Sequence, residues 1–206
     1  MTLHALYTVI GWTAVLFGLA STVAQFRRAF TIGIEGISLA TWVMFVMLGV
    51  YWITYGATVH SWIIILGSLC VLPLQLAIIF RLQPWKRWSV SFRCLVFFAS
   101  FCIVPTLLWG WNGGVLGVGL AMVGNRLPQI IKLARYRGAD GVSVGAWSLG
   151  VLCSSTWMVY YVGFHLWSAC IATVSSGAAN VTVALLARWR HRQSREDMIR
   201  EVVFAV

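Results

Sequence analysis

The sequence predicts an all-α membrane protein with seven transmembrane helices, arranged as two parallel triple-helix bundles joined by a linker helix. Three observations lead to this fold class. Of the 206 residues, 60% are hydrophobic and 10% are charged, and the mean hydropathy is +0.86. Such a composition leaves too little polar surface to coat a soluble globule. The chain also contains an internal repeat, and its basic residues fall in alternate loops.

The internal repeat is clearest at two short glycine-rich turns. The segment GIEGIS at 33–38 returns as GADGVS at 138–143, an offset of 105 residues. Between positions 33 and 62 the same offset gives nine identities, which include Trp52 with Trp157 and Tyr55 with Tyr160. Self-similarity at one fixed offset indicates a duplicated structural unit.

Seven stretches are long and apolar enough to cross the hydrocarbon core, which takes about 20 residues of helix. They lie at 3–25, 38–58, 62–81, 92–111, 113–135, 144–163 and 166–188. Because the fourth lies outside the repeat and adds one crossing, both triplets enter the membrane from the same side.

These spans divide the chain into four parts. We expect a first triple-helix repeat over 1–83, a linker helix over 84–111, a second triple-helix repeat over 112–188 and a basic tail over 189–206. The tail could form a short amphipathic surface helix or fray. The sequence leaves both open.

The Lys and Arg residues orient the predicted bundle. All of them except Arg126 occupy positions 27–28, 81–93, 132–137 and 188–200, and the intervening loops carry none. By the positive-inside rule, the basic loops are cytoplasmic, so we place the N-terminus outside and the C-terminus inside. Because the loops are short and the sequence shows no targeting signal, we expect a bacterial inner membrane. The net charge of +10 forms a rim on one membrane face. It therefore predicts anionic lipid headgroups as partners and no nucleic acid.

The fifth predicted helix carries a candidate hinge. The segment GNRLPQIIK at 124–132 places Pro128 inside an otherwise helical pattern, where it removes a backbone hydrogen bond and loosens the helix. Pro128 and Gln129 are therefore predicted to form the main hinge. In the first repeat Ala24 precedes Gln25, so we expect the first bundle to bend less than the second.

These residues carry a family resemblance. Pro128 with Gln129, a basic stretch, a Gly-acid-Gly-Val-Ser turn and a following helix with W-x-x-Y resemble a PQ-loop repeat. Over nearly its whole length the chain is similar to the SWEET and PQ-loop transporter families. The resemblance implies two triple-helix bundles that rock around a central solute site. Ala24 departs from the family pattern, which usually has proline there.

The resemblance also implies where a solute would bind. In the SWEET family the position three before the Tyr of the second and sixth helices faces the solute, which here gives Trp52 and Trp157. An indole offers a flat apolar face to a sugar ring, or a π-face to a cation.

The hydrogen-bonding positions depart from the family pattern. The resemblance implies an asparagine about thirteen residues after each tyrosine, and this chain has Ser68 and Thr173 there. Hydroxyls can still bond a polyol, but each has one donor where an amide has two. Asn180, and Gln75 at the matching position of the first repeat, lie two turns deeper and are alternative partners.

Several charged residues need a role. Arg126 lies inside the fifth predicted helix, where an ionised side chain is costly unless paired or hydrated. It could face the central cavity and attract a carboxylate or phosphate, or extend toward the cytoplasmic headgroups. Glu35 and Asp140 occupy matching turns and could pair with arginines or titrate. We expect turn chemistry, with Ser38 and Ser143 as N-caps.

A glycine stripe opens the fifth predicted helix, at Gly110, Gly113, Gly114, Gly117 and Gly119. Small residues at this spacing let helix backbones approach closely. The stripe predicts tight packing inside the second bundle or a contact in a homo-oligomer, and the sequence leaves both open.

Together these patterns predict an integral membrane transporter of a small polar solute, with a sugar as the preferred candidate. We expect it to work by alternating access and facilitated diffusion. Two alternatives remain open: a proton-coupled transporter of cationic or cystine-like amino acids, and a receptor or sensor of the same fold that does not transport. The sequence contains no ATP-binding P-loop, no catalytic constellation and no metal motif. We therefore expect neither an enzyme nor a cofactor.

Overall fold

The computed structural model describes residues 2–135 and 139–204, with side chains described as far as residue 197. Within these ranges the chain is helical and contains no strand. Five helices are long and apolar enough to cross a membrane: Leu3–Thr31, Leu39–Thr58, Trp62–Arg81, Pro84–Arg135 and Trp167–Asp197. The prediction of an all-α protein is confirmed, and these helices have the length and composition that a membrane protein requires.

The first half of the chain contains four helices. They are α1 (Leu3–Thr31), α2 (Leu39–Thr58), α3 (Trp62–Leu69) and α4 (Leu72–Arg81). The span predicted at 62–81 is therefore interrupted after Leu69. Pro73 accounts for the interruption, because it has no N–H to donate to the carbonyl four residues earlier, that of Leu69.

A single helical stretch of 52 residues, Pro84–Arg135, follows. It contains α5 (Trp88–Phe98), a π-helical turn (Ala99–Ile103), α6 (Val104–Gly124) and α7 (Leu127–Arg135). Inside α6 the backbone leaves helical geometry at Trp109 and Gly110, and Gly110 has φ +67° and ψ −168°. This conformation is accessible essentially to glycine alone.

The chain reverses direction at Gly110 and packs back on itself. A Cβ added at Gly117 would lie 1.8 Å from the carbonyl oxygen of Phe101, and one at Gly124 would lie 2.5 Å from the Phe97 ring. Gly119, in the stripe, meets the backbone of Ala172 in the last helix. Gly119 therefore packs inside the second bundle as predicted, whereas Gly117 packs on the segment predicted as the linker helix.

The last two helices are α8 (Val144–Gly163) and α9 (Trp167–Phe204). Ser143 caps α8 by accepting a hydrogen bond from the Ala146 N–H at 3.1 Å, and Ser38 caps α2 in the same way through Thr41 at 3.4 Å. Both predicted N-caps are confirmed. Each stabilises its helix by satisfying an N–H that has no partner inside the helix.

Helix α9 extends without a break past its predicted end at residue 188. Arg190 is buried, and its guanidinium donates to the carbonyls of Leu133 at 2.6 Å and Ala134 at 2.5 Å. These carbonyls belong to the last turn of α7, where a cation is favourable. The predicted tail at 189–206 thus begins as a continuation of α9 that is tied to α7. The expectation of a separate surface helix or a frayed segment was wrong for this part.

Packing joins the two halves along α1 and α8, while α2 packs on α3, α4 and α5, and α9 packs on α6 and α8. The outer surface carries large apolar side chains, among them Trp88, Leu107 and Trp109. Exposed apolar area on this scale needs an apolar surrounding, which a lipid bilayer supplies.

Candidate functional site

A cavity of about 210 Å³ lies between the two halves of the molecule. Its wall contains residues of α1, α2, α3, α4, α6, α8 and α9, together with Arg126. Many of them are pairs that the 105-residue offset relates: Trp42 with Trp147, Trp52 with Trp157, Ser68 with Thr173, and Gln75 with Asn180. Both repeats therefore contribute equivalent side chains to the cavity wall.

The sequence-predicted site residues divide into two groups. The five residues proposed to bind a solute all line the cavity, as do Gln25 and Arg126; the five are Trp52, Trp157, Ser68, Thr173 and Asn180. Pro128 lies elsewhere, in the wall of a groove of about 400 Å³ formed by α2, α5 and the end of α6. Gln129 lines neither space and is buried against the first glycine-rich turn.

Trp52 and Trp157 both contact a third aromatic ring. The ring of Tyr161 stacks on Trp52 with centroids 6.0 Å apart and planes at 15°, and on Trp157 at 5.3 Å and 18°. All three side chains are in the cavity wall. Parallel stacking at these distances is favourable for aromatic rings. Tyr161 thus covers part of the Trp52 and Trp157 indole surface that was predicted to contact a solute.

In the sequence, Tyr161 stands out only when it is compared with the equivalent position of the other repeat. The offset of 105 aligns it with Gly56, so one repeat supplies a large ring where the other supplies a hydrogen atom. Identities between the repeats do not point to this residue. Differences in side-chain size between equivalent positions are the signal that would have found it.

Arg126 lies in the short break between α6 and α7, and its side chain is 4% exposed. The guanidinium donates from Nε to Oδ1 of Asn180 at 2.7 Å and from Nη2 to the hydroxyl of Ser176 at 2.7 Å. Nη1 donates to the Met122 carbonyl at 2.6 Å and to Oδ1 of Asn125 at 2.8 Å. The side chain therefore lies in the cavity wall rather than extending toward headgroups.

The ring of Phe45 lies beside the guanidinium, 5.1 Å from ring centroid to Cζ. The ring face attracts a cation through its quadrupole, and the attraction is stronger away from water. Phe45 comes from the first repeat, whereas the hydrogen-bond acceptors of Arg126 come from the second. The charge is thus held where the two repeats meet.

The amide of Asn180 is fully engaged. Its Oδ1 accepts from Arg126, and its Nδ2 donates to the Gly150 carbonyl at 3.1 Å and the Ser154 hydroxyl at 3.2 Å. An amide with two donors and one oxygen has little capacity left after these bonds. Asn180 orients Arg126 and leaves a solute few groups to bond.

Gln75, at the equivalent position of the first repeat, has an amide that is not engaged in hydrogen bonds. It is buried, and its Oε1 has no hydrogen-bond partner in the described part of the chain. Around the hinge motif the repeats align at an offset of 104 residues, which matches Gln25 with Gln129 and therefore Thr22 with Arg126. At the offset of 105 residues, Gly49 is the equivalent of Ser154. The first repeat therefore lacks the two side chains that bond to Asn180, and the Gln75 amide remains free in the cavity wall.

The two hydroxyls of the predicted pocket are also free. Most Ser and Thr side chains in these helices bond to a carbonyl of the preceding turn, as Ser154 does with Gly150 at 3.0 Å. Within residues 2–135 and 139–197, the side chains of Ser68 and Thr173 have no such partner. Both can therefore donate to, or accept from, a bound molecule.

The two glutamines of the hinge motif make reciprocal contacts across the repeats. Gln129 donates through Nε2 to the Gly36 carbonyl at 2.7 Å and accepts from the Ser38 N–H at 2.8 Å. Gln25 makes the same pair of bonds to the other turn, at 2.7 Å to the Gly141 carbonyl and 3.0 Å from the Ser143 N–H. Each glutamine thus holds the glycine-rich turn of the opposite repeat.

Two basic side chains extend this pattern. Arg28 donates to the Asp140 carbonyl at 2.5 Å, and Lys132, its equivalent at the 104-residue offset, donates to the Ile37 carbonyl at 2.7 Å. The N–H of Gly141 also donates to the Glu35 carbonyl at 2.9 Å. We call this end of the bundle, which carries the turns at 33–38 and 139–143, the turn end. The two repeats are hydrogen-bonded to each other there.

The helix geometry around the hinge motif differs between the repeats. α6 ends at Gly124 and α7 begins at Leu127, so the helix is broken just before Pro128, whereas α1 continues unbroken through Ala24. The difference agrees with the missing N–H of proline. The sequence pattern places Gln25 and Gln129 at the hinges, but nothing in it indicates that each glutamine contacts the opposite repeat.

Comparison of the chain with protein-family models, with curated proteins and with solved structures gives no match. A functional assignment therefore depends on the geometry of the cavity and on the resemblance of its motifs.

Proposed function

We propose that this protein is a membrane transporter that moves a small polar solute through the central cavity by alternating access. The observation that carries the proposal is the cavity between two equivalent halves, lined by matching residues from each. Transporters built from repeats place the solute site at the repeat interface, so that rocking of one half against the other exposes it to either side.

The proposal includes a topology of seven crossings, three in each repeat and one in the linker. The stretch Pro84–Arg135 has 52 residues, enough for two crossings of about 20 residues each, and the reversal at Gly110 supports dividing it there. The charge distribution supports an N-terminus outside and a C-terminus in the cytoplasm. By this topology the turn end is cytoplasmic, and we propose a bacterial inner membrane as the location.

The size and chemistry of the cavity support a sugar or a molecule built like one. At about 210 Å³ the space is smaller than the roughly 300–1,000 Å³ of drug-sized sites, so it suits a single small molecule. Trp52 and Trp157 supply flat apolar surface, while Ser68, Thr173 and Gln75 supply unpaired polar groups. We propose facilitated diffusion, because the sequence has no P-loop that would couple transport to ATP.

The test is uptake by liposomes that contain the purified protein, with a radiolabelled panel of sugars and amino acids and with or without a pH gradient. We expect saturable sugar uptake that does not depend on the gradient. Gradient-driven uptake of amino acids would assign the protein to the proton-coupled alternative. Binding of a solute without any uptake would contradict transport and favour a receptor.

Trp157→Ala tests the role of the cavity. We expect uptake to fall at least about tenfold, because removal of an aromatic contact in a desolvated site costs on the order of 1.5 kcal/mol or more. Trp167→Ala is the matched control, since Trp167 lies outside the cavity and is largely exposed. Equal uptake by the two variants at equal expression would remove Trp157 from the site.

A further inference from the structure

We propose that the cavity selects a monocarboxylate that also carries hydroxyl groups, such as a sugar acid, with the carboxylate paired to Arg126 and a hydroxyl donating to Oε1 of Gln75. The inference rests on the proposed function, because it takes the cavity as the solute site. It nevertheless makes a claim about binding that does not require transport to be measured.

The first step is the uncompensated charge of Arg126. All four of its hydrogen bonds go to neutral oxygens, of Asn180, Ser176, Met122 and Asn125. The described part of the chain places no carboxylate in the cavity wall or in contact with this guanidinium. Glu35 and Asp140 lie in the turns at the turn end. A buried charge normally has a partner of opposite sign, and here a bound anion is the group that would supply it.

The second step is the donor capacity that remains. A guanidinium has five N–H groups, and four of them are engaged, which leaves one on Nη2. Because α6, α9 and Phe45 hold the group from several sides, it is already oriented before a ligand arrives. A pre-oriented donor loses little conformational freedom on binding, which increases affinity for an anion.

The third step is Gln75, an observation that does not depend on Arg126. Its Oε1 is buried in the cavity wall without a donor, and such an acceptor is costly until something bonds to it. A ligand hydroxyl is the matching donor. An ammonium group is a poorer match, because the described cavity wall contains a fixed cation and no Asp or Glu to balance a second positive charge.

The fourth step combines these groups with the aromatic surface. The aromatic wall formed by Trp52, Trp157 and the Tyr161 ring that stacks on both favours a ligand with a flat apolar face. Ser68 and Thr173 add two free hydroxyls. A sugar ring that bears one carboxylate satisfies each of these groups, whereas a neutral sugar leaves Arg126 without a counter-charge. Among solutes of suitable size, the cavity therefore favours the acid over the neutral sugar.

The experiment measures binding to the purified full-length chain in detergent by isothermal titration calorimetry. The ligands are glucuronate, its methyl ester and glucose, which share a ring and differ in the group at one carbon; only glucuronate carries a charge there. We expect glucuronate to bind roughly 10- to 100-fold more tightly than the ester or glucose, as for one charge-assisted hydrogen bond. Equal affinity for glucuronate and its ester, or no binding of any of the three, overturns the inference.

Substitutions of Arg126 and Gln75 test which of the two residues causes the preference for the acid over the ester. Arg126→Gln should abolish the difference between acid and ester, and Arg126→Lys should retain part of it. Gln75→Leu should weaken acid and ester by similar factors and leave their ratio unchanged. A ratio unaffected by Arg126→Gln in a monodisperse protein contradicts the assignment. If Arg126→Gln does not fold, the comparison of acid and ester on the unmodified chain still decides.

Uptake into liposomes separates this inference from the proposed function. Preferential binding of glucuronate without uptake of any solute would refute transport and leave the anion site standing. Uptake of glucose, together with equal affinity for glucuronate and its methyl ester, would support transport and overturn the anion site.

Discussion

At the scale of single residues, the candidate site is controlled by differences between equivalent positions. Tyr161 stacks on both tryptophans, whereas its equivalent Gly56 has no side chain. Asn180 is saturated and Gln75 is free. Duplication produced a symmetric frame, and substitutions at these positions made its centre asymmetric. Such asymmetry suits a small solute that is itself asymmetric.

Replacement of Tyr161 tests how the tryptophans are used. We expect Tyr161→Ala to uncover the indole faces and to increase affinity for the solute severalfold. The variant should lose about 3 kcal/mol of unfolding free energy, because a large buried ring is removed. Binding calorimetry and thermal unfolding measure the two effects.

Tyr161→Phe is the matched control, because it retains the ring and the stacking. It should bind the solute as the unmodified protein does. If Tyr161→Ala folds and its affinity is unchanged, the ring does not compete with a solute for Trp52 and Trp157.

At the scale of elements, helices and turns are joined by contacts that cross from one repeat to the other. α1 of the first repeat contacts the second turn through Gln25, and α7 of the second repeat contacts the first turn through Gln129. A movement that separates the repeats at the turn end must break all four bonds. The glutamines therefore set part of the free-energy cost of opening that end.

The crossed pattern predicts a crossed effect of mutation. Gln129→Leu should deprotect the backbone amides at 36–38, in the first repeat, while Gln25→Leu should deprotect those at 141–143, in the second. Each variant removes two buried hydrogen bonds, worth about 1–3 kcal/mol of local stability per bond. Hydrogen–deuterium exchange with peptide-level detection measures the protection, and each variant is the control for the other. Deprotection of the turn in the glutamine's own repeat would contradict the pattern.

At the scale of the whole molecule, the cavity lies where two halves meet, and the halves are hydrogen-bonded to each other at the turn end. Alternating access requires these contacts to open and close during each cycle. Binding requires only that the cavity be reached from one side. Transport and binding therefore differ in their dependence on movement at the turn end.

A reversible cross-link at the turn end tests this difference. The Arg28 side chain contacts the backbone of Asp140 at the exposed turn end. The five native cysteines are unpaired, so the cysteines can be replaced first. In the double variant Arg28→Cys and Asp140→Cys we expect a bridge made with a bifunctional thiol reagent that contains a disulfide to abolish uptake, and reduction of the bridge to restore it. Solute binding should survive the cross-link. Unchanged uptake in the fully cross-linked protein would contradict alternating access through this end.

Much of the architecture was open to prediction because it depends on local sequence. Helix positions follow from apolar length, the caps of α2 and α8 follow from a serine three residues before the N–H it bonds, and the break before Pro128 follows from its missing N–H. The interruption after Leu69 has the same cause at Pro73. It was missed because the stretch was judged by its mean hydropathy.

The sequence by itself determined that the chain is helical, apolar enough for a membrane and duplicated, since composition and repetition along the chain carry that information. Only the tertiary structure decided what the polar groups between the repeats do. The Arg126 side chain is long enough to reach either the cavity or the headgroups, and its bond to Asn180, 54 residues away, settles the choice. Gln129 and Ser38 are 91 residues apart. No local pattern specifies such partners, because they meet only when separate helices pack together.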